Sequence, residues 1–202
     1  MKRWIPVGSR RHRRQLAAAL IAVSLCAARS AAAEGTKPAF DYEGMNGDVT
    51  IKQAKSRVQT VLRCARDEDV PALVRCDEDA STYFGKRAVL KLEFIDDKLA
   101  QLTVRVQSDD FEAVSRGVLE RFGTPRRRGL ETDGPMPYAH MEWTLADGEL
   151  IVDERVARFI PAWQRYDYVT EVIFYPASMA KRRAEVQWSA VRAIHDRHIA
   201  DN

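Results

Sequence analysis

The chain lacks an apolar run long enough to cross a bilayer, which takes about 20 residues. Its longest, LAAALIAVSLCAA at residues 16–28, has thirteen. It also lacks the short patterns that carry chemistry. There is no H-E-x-x-H, no glycine-rich phosphate loop and no Ser-His-Asp ordering, and the three cysteines form no C-x-x-C. Metal, nucleotide and serine-hydrolase chemistry therefore have no motif to stand on. The expectation is a protein without metal or cofactor, and not an enzyme.

What the N-terminus does contain is an export pattern. MKRWIPVGSRRHRRQ carries six Lys and Arg and no acidic residue, and the thirteen-residue apolar run follows it. ARSAAAEG then places Ala31 and Ala33 as an A-x-A cleavage site before Glu34. SRRHR is similar to a twin-arginine signal, with Arg13 where a Phe is expected, so the export route stays open. Cys26 follows Leu25, not a small residue, and so leaves with the signal instead of bearing a lipid.

Cleavage also reverses the charge. Residues 1–33 hold seven of the 32 basic residues and none of the 29 acidic ones, so 25 basic against 29 acidic remain, a net of −4 in place of +3. An acidic chain of this kind is a poor nucleic-acid binder. The implied location is periplasmic or secreted, with no stable membrane insertion once the signal is gone.

Export gives Cys64 and Cys76 a role. Two cysteines remain in an oxidising compartment, where disulfides persist. Neither a histidine nor a second thiol stands at zinc-ligand spacing from them, so the pair reads as a structural bridge.

The remaining chain of about 169 residues is enough for one domain with its own core. Residues 34–48 form an irregular lead-in. Thr50 and Gln53 then make a capping box for a helix carrying Ile51, Ala54, Val58, Val61, Leu62 and Ala65 on one face, with Cys64 near its end. The alternating segment 83–106 folds into a hairpin. A three-residue turn, Asp96-Asp97-Lys98, pairs Phe94 with Ala100, Leu92 with Leu102 and Leu90 with Val104.

A second helix starts at Ser108 or Asp109, buries Phe111, Val114, Val118, Leu119 and Phe122, and stops at Gly123 and Pro125. A second hairpin turns at Asp147-Gly148, setting Trp143 opposite Val152, Leu145 opposite Leu150 and Glu142 opposite Asp153. A last strand over 168–176 and a basic amphipathic helix over 177–202 complete the chain. The expected fold is α+β over residues 49–176: a helix-hairpin tandem repeat with the helices packed on one face of a single antiparallel sheet.

Two stretches, FEAVSRGVLERFGTP followed by MEWTLADGELIV, resemble the BamE/SmpA-OmlA-like small exported bacterial domains and their tandem-repeat relatives of the β-lactamase inhibitor protein type. FIDDKLAQLTVRV is similar to the terminal hairpin of a preceding unit, and the likeness spans roughly residues 48–175. The chain departs from the BamE-like pattern in having no lipid-bearing cysteine, which counts against anchoring in the outer membrane. The resemblance implies a non-catalytic binding or assembly role in the envelope.

Among the residues themselves, VARFIPAWQRYDY gathers Arg158, Trp163, Arg165 and Tyr166, the residue types enriched at binding hot spots. These are the expected contacts to an envelope protein or cell-surface component; the alternative is aromatics folded back on the core. Arg126, Arg127 and Arg128 either grip an acidic partner or form a solvated loop. His195 and His198 stand one helical turn apart without completing a metal set. The stripe Ala184, Trp188, Val191 and His195 is expected to pack on the domain. Two other functions remain: a small hydrolase using Glu142 and Asp153 as a cross-strand carboxylate pair, and a purely structural envelope accessory.

Overall fold

The computed structural model describes residues 37–107, 110–132, 136–160 and 165–200, so the expected signal peptide lies outside the described residues. Eight strands occur among them: β1 (Arg63–Arg66), β2 (Leu73–Tyr83), β3 (Lys86–Ile95), β4 (Lys98–Gln107), β5 (Arg127–Glu131), β6 (Tyr138–Thr144), β7 (Gly148–Ile160) and β8 (Arg165–Pro176). The helices are α1 (Ile51–Arg57), α2 (Phe111–Phe122) and α3 (Ala180–Ala200). All the strands join one antiparallel sheet in the order β1-β2-β3-β4-β8-β7-β6-β5. The last strand in sequence therefore sits at the centre.

The helix-hairpin tandem repeat is not the architecture. The first helix ends at Arg57, because Val58 turns to extended backbone and Thr60 is captured elsewhere. The Thr60 backbone N and hydroxyl donate to Glu78 Oε1 at 3.1 and 2.7 Å, and Ser81 donates to Oε2 at 3.0 Å. With the chain drawn out in this way, Cys64 lies on β1, directly opposite Cys76 on β2. The bridge between them joins neighbouring strands, not a helix end and a loop. β2 reads as charge in the sequence because its buried positions include Glu78, only 1% exposed, beside Cys76 and Tyr83.

The helices also lie on both faces. On one face α2 inserts Val114, Val118 and Phe122, and the 37–49 segment adds Phe40, Tyr42, Met45 and Val49 to the same core. Phe40 stacks on Phe174 with ring centroids 4.2 Å apart, so this irregular stretch is core in its packing. Gly117 of α2 has no room for a Cβ, which would lie 2.7 Å from the ring of Phe84. On the other face Val186 of α3 packs with Leu73, Ile95, Ala100 and Met179.

The first hairpin combines a short turn with the longer turn's register. Asp96 and Asp97 form a two-residue turn with φ of 52° and 65°, setting Phe94 opposite Leu99. A bulge then takes up Ala100, restoring Leu92 opposite Leu102 and Leu90 opposite Val104. Ala100 is thereby turned to the α3 face.

In the second hairpin the register moves by two residues, to Trp143 opposite Leu150. Gly148 instead opens β7, where it passes so close to β8 that a Cβ would sit 2.2 Å from the Tyr175 carbonyl oxygen. Asp147 meanwhile accepts the Phe40 backbone N–H at 2.9 Å. The turn is thus Ala146-Asp147, closed by the Leu145 N–H to the Gly148 carbonyl at 2.8 Å, with Gly148 serving strand packing.

The Tyr83 hydroxyl is buried with no hydrogen-bond partner. Burial pushes its pKa well above the usual 10.0, and Tyr42 and Tyr175 are raised for the same first reason. The folded chain thus holds protons that the unfolded chain releases. That contribution is complete below about pH 10 and is lost as pH rises further. Tyr83→Phe is expected to change neutral-pH stability by less than about 1 kcal/mol and to soften the alkaline decline. Melting temperatures measured from about pH 8 to about pH 12 check both.

Candidate functional site

β7 and β8 are the two longest strands, and they outrun their neighbours. β6 pairs with β7 only as far as His140↔Asp153, and β4 pairs with β8 only as far as Gln107↔Val169. Beyond Arg155 and Val169 the pairs Val156↔Tyr168, Arg158↔Asp167, Phe159↔Tyr166 and Ile160↔Arg165 continue as a two-stranded ribbon, with a bulge between Val156 and Arg158. At about 3.4 Å per residue the ribbon runs roughly 17 Å past the sheet. Arg158, Arg165 and Tyr166 all fall on its paired strands, where the sequence suggested a connecting loop. Trp163, within 161–164, lies outside the described residues.

An isolated two-stranded ribbon is marginal in water, so its root matters. There the registers align one residue from each strand into a row: Gly129, His140, Asp153, Glu171 and Arg105. Asp153 and Glu171 are directly opposed, and like charges so placed repel. Two arginines offset the repulsion. Arg155 donates from Nε and Nη2 to Asp153 Oδ2 at 2.9 and 2.6 Å, and its Nε lies 3.8 Å from Glu171 Oε2. Arg105 donates from Nε to Glu171 Oε1 at 2.9 Å.

His140 Nδ1 lies 2.7 Å from Asp153 Oδ1. Asp153 is fully buried and Glu171 nearly so. Burial would lower the Arg155 pKa, but the hydrogen bond and charge of Asp153 outweigh it and leave the group raised. The guanidinium also lies over the Tyr138 ring at 5.1 Å, which locks its position further.

The cross-strand carboxylate pair is therefore Asp153 with Glu171, not Glu142 with Asp153. Glu142 faces Ile151 and pairs with Arg126. Sequence reasoning missed Glu171 because only the β7–β8 register reveals it. An adjoining depression of about 480 Å³ is lined by Asp79, Arg87, Val89, Arg105 and Val169, without Asp153 or His140.

The arginine cluster is mostly matched: Arg126 meets Glu142 and Glu149, and Arg127 meets Glu131. It opens an edge strand, not a loop. On α3 the packed side is Val186 with Arg183, whose guanidinium sits 4.0 Å above Tyr175. Arg182 Nε fixes the helix to Asp96 at 2.7 Å. That rotation turns Trp188 and Val191 outward, 67% and 55% exposed, reversing the expected stripe. His195 and His198 both lie on α3, and no group of three metal-ligating side chains occurs among the described residues.

No family model, curated protein or solved structure matches the chain.

Proposed function

We propose that the protein is an exported domain of the periplasm or the cell exterior that binds an envelope protein or cell-surface component through the β7–β8 ribbon. The observation that carries this reading is the ribbon itself, a projecting strand pair with Arg158, Arg165 and Tyr166 along its length; Trp163 belongs to the same sequence group. Trp, Tyr and Arg are the residue types that supply large contact area at low cost in side-chain freedom. The charged row acts as the root that keeps the ribbon oriented.

The Cys64–Cys76 bridge supports an oxidising compartment. Binding without turnover also agrees with the resemblance to BamE-like and β-lactamase-inhibitor-protein-like domains. A hydrolase gains little support, since the adjoining depression excludes the buried acid and histidine.

The test is a photocrosslinking residue placed at Tyr166 in growing cells, with the exposed Val61 as control site. A discrete adduct from position 166, absent from 61 and lost in Trp163→Ala at unchanged melting temperature, is the expected result. A Trp163→Ala protein several degrees less stable would identify a core residue, and equal adducts from both sites would remove the ribbon from recognition.

A further inference from the structure

The two edges of the sheet differ in what they offer a second strand. At one edge β1 carries Arg63 and Arg66 at its two ends. That strand is short, and its Arg63 is already matched by Asp79 of β2. At the other edge β5 reads Arg127-Arg128-Gly129-Leu130-Glu131, exposed over its first four residues, and its described partner strand is β6. An edge strand of this kind presents a row of backbone donors and acceptors to an incoming chain.

A two-fold axis through Gly129 would set Arg127 of one copy opposite Glu131 of the other, twice, and Arg128 opposite Leu130, twice. A Cβ at Gly129 would meet nothing within 4 Å, so the backbone at the axis is open to close approach. Leu130, 71% exposed, would be covered by the aliphatic stem of the partner copy's Arg128. In the single chain Arg127 and Glu131 lie against each other along the strand. Pairing would exchange that contact for two across the axis.

We propose that β5 is a self-complementary edge through which two copies of this chain join their eight-stranded sheets into one. The contact is isologous and closes at the dimer, because it occupies the same edge of both copies. An acidic peptide fits less well, since Glu131 would oppose it. This inference does not rest on the ribbon's role in binding.

Sedimentation equilibrium on the bridged protein tests it. The expected result is a reversible monomer–dimer equilibrium that Arg127→Glu or Glu131→Arg alone weakens about tenfold or more. The double reversal, Arg127→Glu with Glu131→Arg, should restore the dimer constant to within about threefold. Circular dichroism should show all three variants folded. Three results would overturn the proposal: a protein monomeric at every concentration, a dimer indifferent to both single changes, or a double reversal that fails to recover association.

Discussion

Replacing Cys64 and Cys76 together with Ala should lower the stability of the folded chain by about 3 kcal/mol, the chain-entropy value for a closed loop of this size. The bridge spans a sequence separation of 12 and links directly opposed residues whose Cα atoms are 4.0 Å apart. Among the described residues β1 is an edge strand of four residues paired with β2, so besides that ladder and the exposed Arg63–Asp79 pair the bridge is what keeps it in the sheet. The loss should appear first as faster amide exchange at residues 63–66. Urea unfolding checks the size: the midpoint of the native protein should fall under reductant to that of the double variant, which reductant leaves unchanged. Equal midpoints for all of these would mean that the bridge closes a loop already ordered without it.

Asp153→Ala should be at least as damaging, at about 3–5 kcal/mol, because it removes one member of a buried charge set and leaves the others unmatched. Asp153 has no exposed surface and contacts His140 and Arg155, and without it Arg155 keeps the longer contact to the Glu171 carboxylate and its place over the Tyr138 ring. Asp79→Ala makes a contrasting control. Its partner Arg63 and Asp79 itself are both more than half exposed, so its loss should stay within about 1 kcal/mol. Thermal and urea denaturation of the two variants give the comparison. Similar losses would mean that the row does not hold the root of the ribbon.

Parts of this structure are plain in the amino-acid order because local chemistry decides them. The Thr50–Gln53 capping box forms as its residue types dictate. Residues 111–122 form a helix that stops at Gly123, whose φ of 75° suits glycine. Leu92 meets Leu102 because one face of that hairpin must be buried.

The misreadings share one cause, a tertiary contact that overrides a local signal. Val61, Leu62 and Ala65 continue a helical spacing, yet Glu78 holds Thr60 and draws the chain into a strand. Arg127–Glu131 has too little apolar character to announce a strand, and it becomes one because β6 offers a free edge. Asp147-Gly148 signals a turn, but the turn is Ala146-Asp147 and Gly148 opens β7 close against Tyr175. The charged row was hidden because no single segment contains it: its five members come from five strands. The ribbon's residue types stood out in the sequence, whereas its projection depends on where β4 and β6 stop.

Intact-mass spectrometry of the protein recovered from its own cells, without reductant, bears most directly on export and oxidation. A chain beginning at Glu34 and two hydrogens lighter than its reduced form is the expected result. A chain retaining residues 1–33 with both sulfurs as free thiols would contradict it.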